Sequence, residues 1–326
     1  MVAEFGDGAL KKLLLSYQEQ GSTATAIQDC FGIGQEEFEK RYHAYLKKIT
    51  ASLKGYQSEE ADLSFRELQK QYEANQSNPD LAGKYAYRLL RLRKKGEARS
   101  IARKVLETHP TQAQAALTIA QLELLSEDLD SALDVLQKPL SVKAPDVDVL
   151  SLAGKILLKQ TKFDEALPVY EQAHQTYPYQ TEWLQGLSII YQQQKKEKQL
   201  QEALLKLVHL DPNDETSMKL LMEGYRKQGD LEQALRWGQA ALQVDVLDPE
   251  THQQLSEIAL KLDRKPVAIR ELKMLLHLQE DNAELRYLLA KTLLDTGQLE
   301  AARTELDLLL KQNPTHAEGL KLKQKL

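Results

Sequence analysis

The stretch VDVLSLAGKILLKQTKFDEALPVYEQAHQTYPYQ, running from Val147 to Gln180, decides the fold. Leu150, Ala153, Gly154 and Leu157 share one face of a first helix, and Ala166, Tyr170 and Ala173 share one face of a second, at the three- and four-residue spacing of amphipathic helices. Gly154 and Ala166 are small where two helices cross closely, because a larger side chain would push them apart. Pro178 follows the second helix and stops it, having no N–H and clashing with the preceding turn. Displacing the chain by 34 residues repeats this pattern without gaps from Pro79 onward. The units are 79–112, 113–146, 147–180, 181–214, 215–248, 249–282 and 283–316.

The aligned columns have physical meaning. Position 20 holds Ala98, Ala132, Ala166, Leu200, Ala234, Ala268 and Ala302. Position 8 is mostly small: Ala86, Ala120, Gly154, Ser188, Met222, Ser256 and Ala290. Position 7 is an apolar column facing a shared core: Tyr85, Ile119, Ala153, Leu187, Leu221, Leu255 and Leu289. Proline recurs at position 32 as Pro110, Pro178, Pro212 and Pro314. Gly229 and Gly297 supply turns between paired helices, where a positive φ carries no strain for glycine.

Over residues 79–316 this pattern resembles the tetratricopeptide-repeat (TPR) family, with one helix–turn–helix per 34 residues, small residues at positions 8 and 20 and proline at 32. The resemblance implies an all-α chain, a right-handed α-α superhelix (a TPR solenoid) preceded by a small helical segment, with residues 317–326 as a C-terminal capping helix. Departures are expected to loosen the packing locally. Pro139 falls inside a second helix and should shorten or kink it. Pro168 and Pro266 are expected in or near first turns, where proline is tolerated. Glu123 stands at position 11, where the family prefers Tyr or Leu. His252 and Arg286 occupy position 4, which is usually apolar.

Residues 1–78 do not fit the repeat. Asp7 is a candidate cap for a helix over about 8–19. A Gly21-Ser22 break, a short helix near 24–31 and a Gly32-Ile33-Gly34 break follow. A third helix starts at Glu36, Glu37 and Glu39 with acids at its positive end, and carries the stripe Phe38, Tyr42, Tyr45, Leu46 and Ile49. Residues 1–58 form this helical segment. Residues 59–78 hold a fourth helix, about 60–76, that caps the repeats. The motifs Gly6-Asp7-Gly8-Ala9-Leu10-Lys11-Lys12-Leu13-Leu14, Ser22-Thr23, Phe31-Gly32-Ile33-Gly34 and Glu37-Phe38-Glu39-Lys40-Arg41-Tyr42 are similar to the C-terminal helical end of gluzincin (peptidase MA-like) metallopeptidases. In some bacterial proteins of that kind, planctomycete ones included, a TPR array follows. The resemblance implies that this chain is the tail of a longer protein, with its catalytic part upstream of Met1. No His-Glu-x-x-His occurs, so no catalytic or metal residue is carried over.

Composition narrows the function classes. The 326 residues carry 43 basic and 48 acidic side chains, interleaved, for a net charge of −5, which argues against nucleic-acid binding. No apolar run approaches the ~20 residues of a membrane helix, and no apolar region after Met1-Val2 suggests a signal peptide. The compartment stays open between cytoplasm and export as part of a longer precursor. No two histidines lie within four residues of each other, so each is expected at a helix surface or end. Cys30, the single cysteine, is expected as a small buried hydrophobe, not a nucleophile. No phosphate-loop motif is present, and no cofactor is expected. The basic run Arg88, Arg91, Arg93, Lys94 and Lys95, followed by Arg99, Arg103 and Lys104, reads as a charged outer face whose stems cover apolar surface. Attraction of an acidic partner is its alternative reading.

The chain is therefore expected to bind a protein or peptide and to perform no chemistry. Self-association into a homo-oligomer is its rival. In stacked repeats the first helix of each unit lines the concave side. The TPR resemblance places positions 2, 5, 9, 12 and 13 in that groove. Here they include Tyr87, Leu90, Leu117, Gln121, Leu124, Leu125, Lys155, Leu158 and Ile189, then Lys219, Glu223, Arg226 and Lys227. The expected groove is apolar at one end and charged at the other. Some TPR proteins grip the C-terminal carboxylate of heat-shock chaperones through Lys and Asn at positions 5 and 9. Gly83, Tyr87, Leu117, Gln121, Ser151 and Lys155 stand there instead, so that clamp is missing.

Overall fold

The computed structural model of the chain describes residues 5–6, 8–20, 22–53 and 63–326, and every regular element among them is an α-helix. The chain divides into two units, Met1–Trp183 and Leu184–Leu326. The first opens with α1 (Ala9–Gln20), α2 (Thr23–Phe31) and α3 (Gln35–Leu53). The Ser22 hydroxyl accepts from Thr25 N–H and starts α2, and Gly32, at φ 69°, ends it. The Phe31 ring sits 4.4 Å from Phe5 and 5.7 Å from Phe38, tying α2 to α3. Asp7, the expected cap of α1, lies outside the described residues. Cys30, in the last turn of α2, is half-buried and does not join the core.

After α4 (Phe65–Ala74), begun by a Ser64–Glu67 capping box, the helices come in pairs. The first unit holds α5 (Pro79–Arg91) with α6 (Lys95–Thr108), α7 (Ala113–Leu124) with α8 (Leu129–Leu140), and α9 (Val147–Lys159) with α10 (Phe163–Thr176). Phe65 and Tyr72 of α4 stack on Tyr85 of α5 at 5.7 and 4.6 Å. The chain divides within α11 (Thr181–Gln193), after Trp183. The second unit continues with α12 (Glu197–Leu210), α13 (Glu215–Gln228), α14 (Leu231–Val244), α15 (Pro249–Lys261), α16 (Lys265–Leu278), α17 (Ala283–Asp295), α18 (Leu299–Gln312) and α19 (Ala317–Lys323).

Repeat columns become contacts. The six alanines at position 20 are all 0 % exposed, and every position-7 side chain is buried. Positions 8 and 24 exchange volume in two of the repeats. In 147–180 they are Gly154 and Tyr170, and a Cβ on Gly154 would meet the Tyr170 ring at 2.8 Å. In 215–248 they are Met222 and Gly238, and there a Cβ would meet Met222 Sδ at 2.5 Å. Each glycine thus makes room for a large partner.

Two further columns set the helix boundaries. Position 15 lies in the left-handed region in all seven units: Arg93, Glu127, Thr161, Lys195, Gly229, Asp263 and Gly297 have φ between 54° and 82°. Gly229 and Gly297 are the unstrained cases. Thr161, a β-branched residue at φ 56°, is the most strained type for this turn. Thr161→Gly is expected to raise stability by about 1 kcal/mol, read as a higher urea midpoint. Position 34 supplies the acceptor that caps the next first helix: the side chains of Asn78, Gln112, Asp146, Asp214, Asp248, Asn282 and His316 each accept from a backbone N–H two or three residues on.

The prolines at position 32 mark helix ends. Pro110, Pro178, Pro212 and Pro314 each stand two residues past the last helical residue. Pro139 is buried one residue before the end of α8, which runs 12 residues where the other second helices run 14. Pro266 lies in the first turn of α16. Pro168 does not lie in a first turn: the Thr161 turn starts α10 at Phe163, which makes Pro168 its sixth residue.

The polar residues at position 4 do not loosen the core. His252 is not at a surface; it is 4 % exposed, with Nδ1 2.7 Å from Glu271 Oε2 and Nε2 2.9 Å from the Val246 carbonyl. Arg286, 8 % exposed, donates to Glu305 at 2.9 Å and to the Glu280 carbonyl at 2.8 Å. Each contacts a carboxylate 19 residues on and a carbonyl six residues back. The carboxylates stand at position 23, where 147–180 has Val169, with Leu150 at position 4. Where 147–180 has apolar residues at these two positions, 249–282 and 283–316 have polar pairs whose members satisfy each other.

Candidate functional site

The face offered by the first helices is set by the caps and turns above, which repeat its register every 34 residues. In the first unit, Gln121 Nε2 of α7 lies 3.5 Å from Tyr87 Oη of α5, bringing two position-9 side chains together. Lys155 of α9 pairs with Glu182 at 2.9 Å, and the Ser151 hydroxyl donates to the same oxygen at 2.7 Å. Leu124 and Leu158 are half-buried, and Leu125 is 61 % exposed. Leu90 and Leu117, expected in the groove, are instead buried, at 9 % and 2 % exposure. Leu90 belongs to the core cluster that also holds Leu89 and Leu122, so it offers no free surface.

In the second unit, Ile189 is 47 % exposed. Lys219 and Glu223, read as open groove charges, are engaged locally. Lys219 pairs with Glu215 one turn back and with Asp248 at 2.7 Å. Burial would lower its pKa, but the two carboxylates outweigh burial and raise it. Glu223 takes two bonds from Arg226, at 2.8 and 3.0 Å, and these hold its pKa below the usual value. The basic run of the first unit is similarly divided: Arg99 pairs with Glu123 at 2.6 Å, Lys94 with Glu97 at 3.5 Å, and Arg88 donates to the Leu63 carbonyl. Among the described residues, no three His, Cys, Asp or Glu side chains gather as a metal site would require, and no helix is long and apolar enough to cross a membrane.

Asp248 joins cap and ion pair, which gives a pH test. Burial alone would raise its carboxyl, but the Lys219 and Thr251 bonds outweigh that and depress the pKa. A depressed carboxylate stabilises the fold above its ordinary value of 3.8, and that contribution fades as pH falls below it. Asp248→Ala is expected to cost about 1–2 kcal/mol at neutral pH. Urea midpoints of the two proteins should converge in acid; an equal gap at both pH values would overturn the assignment.

The repeat geometry has a counterpart among known families. Residues 266–326 match the tetratricopeptide repeat. The match spans α16 from Pro266 through α19, and the turn and cap columns found in that segment continue back to Asn78. No curated protein matches the chain. Similar solved structures include YrrB, described as a TPR protein with an unusual peptide-binding site, at 18% identity, covering 62% of this chain and 100% of YrrB, TM-score 0.48. MamA of Desulfovibrio magneticus RS-1 shares 20% identity over 52% of this chain and 95% of its own, TM-score 0.43. The Cut9–Hcn1 assembly of APC/C shares 18% over 80% of this chain and 51% of the matched one, TM-score 0.36.

Proposed function

We propose that this chain is a protein-interaction scaffold whose first-helix faces hold an extended or helical peptide of a partner protein. The observation that carries the reading is the pairing of a regularly repeated backbone with exposed apolar side chains. Turns and caps recur in register along the repeats, yet Leu125 and Ile189 stand 61 % and 47 % exposed on the proposed binding face. A preformed surface binds with little ordering cost. Tyr87, Gln121, Leu124, Lys155 and Leu158 would supply contacts in the first unit, and Lys219 and Glu223 in the second. Peptides selected from a displayed library should bind the wild-type chain and lose at least tenfold with Leu125→Arg or Ile189→Arg. They should keep their affinity for Leu308→Arg, on the second helix α18. Binding that survives both first-helix variants would move the site elsewhere.

A second reading rests on a different surface. α1 exposes Leu10, Leu14, Leu15 and Tyr17, and α3 exposes Tyr42 and Tyr45. A further domain of the same polypeptide or a second copy would cover such a stripe. The peptidase-like resemblance of residues 6–42 favours the domain, and a reading frame open upstream of Met1 that encodes His-Glu-x-x-His would support it. Light scattering on an eluting gel-filtration peak tests the copy: a mass that stays monomeric at every concentration removes self-assembly.

A further inference from the structure

Gly224 stands at position 10 of its repeat. The same position holds Leu122, Ile156, Ile190 and Ile258 in four other units, all buried, with Arg88 and Thr292 in the remaining two. A Cβ built on Gly224 meets nothing within 4 Å. The side chain that fills this place elsewhere is thus missing, and a cavity of about 260 Å³ opens between α11, α12 and α13. Its apolar lining includes Tyr191, Leu200, Leu204 and Leu221. Leu200 is itself the one departure from the alanine column at position 20. Two breaks in the repeat therefore meet at one place. Sites for whole small ligands run to about 300–1,000 Å³, so this volume suits one large side chain better than a cofactor.

The mouth has its own chemistry. Glu223 is spoken for by Arg226, through the two bonds described above. Lys227 approaches Glu223 only at 3.5 Å and is 67 % exposed. Lys195, held in the left-handed turn before α12, lines the same mouth and is exposed. Against these two lysines stand Glu197 and Glu223, and Arg226 beside Glu223 tips the mouth to three basic groups against two acidic ones.

We propose that this cavity is an anchor pocket: it takes a single bulky apolar side chain, of the leucine, methionine or phenylalanine class, from a partner peptide that carries an acidic residue beside it for Lys195 and Lys227. The proposal rests on the scaffold reading and deepens it.

The test uses peptides selected from a displayed library against the wild-type full chain. The selected sequences should share one large apolar residue with Asp or Glu next to it. Gly224→Ile, which restores the side chain found in other units, should weaken their binding at least tenfold without lowering the melting temperature. Lys227→Glu should weaken it several-fold and flatten its salt dependence. Methyl NMR keeps the test open if Gly224→Ile folds poorly: the Leu200, Leu204 and Leu221 methyls of the wild-type chain should shift as peptide is added. Peptides that bind Gly224→Ile within twofold of wild type, or that leave those methyls unmoved, overturn the anchor while the scaffold stands. A library that yields no binder at all removes both.

Discussion

Glu305→Ala should destabilise the second unit by about 3–5 kcal/mol, toward the lower end because Glu305 is itself 21% exposed. The reason lies in what it leaves behind. Arg286 is 8 % exposed, and a guanidinium cannot shed its charge to escape burial. With the carboxylate gone, it retains only the neutral Gln312 side chain at 3.2 Å and the Glu280 carbonyl. Deleting one member of a buried pair exposes the desolvation cost that the pair had offset. Replacing both members tests this directly. Arg286→Leu with Glu305→Val places here the residues that 147–180 has at positions 4 and 23, Leu150 and Val169, and should lie within about 1 kcal/mol of wild type. Hydrogen exchange in α17 and α18 is the appropriate readout, because a repeat array need not unfold in one step. If Glu305→Ala costs less than about 1 kcal/mol, water reaches Arg286 and the pair is not a core element.

That pair shows where reading the sequence stopped. The columns at positions 7, 8 and 20 were legible because close packing restricts residue size, and size is visible in a residue's name. The same holds for proline at position 32. The His252–Glu271 and Arg286–Glu305 pairs were half legible. His252 and Arg286 stood out as misplaced polar residues, but their partners lie 19 residues on, across a helix pair, among many other acids. The turn at position 15 was legible only at Gly229 and Gly297. Arg93, Glu127, Thr161, Lys195 and Asp263 take the same conformation, imposed by the packed helices on either side, and nothing in their types announces it. The cap column at position 34 did carry a signal, with Asn or Asp at five of its places, and it would have fixed the start of the five helices that follow them. For the binding face, register predicted which residues share a side. It did not reveal that Leu90 and Leu117 are covered, or that Lys219 and Glu223 hold local partners, since both depend on neighbours from other turns.

Trp183→Ala should cost the first unit about 3–5 kcal/mol, and the variant is most informative when combined with Gly154→Ala. Trp183 is fully buried and meets the Tyr170 ring edge-on, with centroids 6.1 Å apart. Tyr170 is 2 % exposed, and its hydroxyl is pushed up to about 12, by burial first and then by the charge of Glu182. The ring is therefore a neutral, space-filling element at any working pH. It approaches Trp183 at its edge and Gly154 so closely that an added Cβ would fall 2.8 Å from Cε2 and 2.9 Å from Cζ. Gly154→Ala alone should force that ring aside at a cost of about 1–3 kcal/mol, more than the helix propensity of alanine returns. Trp183→Ala alone should leave a cavity beside the same ring. In the double variant the displaced ring has somewhere to go. Its cost should then fall short of the sum of the single variants by about 1 kcal/mol or more, because residues that share a cavity are not independent. Strict additivity would mean that Tyr170 cannot move toward the vacated space, and that the ring is held by α9 and α10 alone.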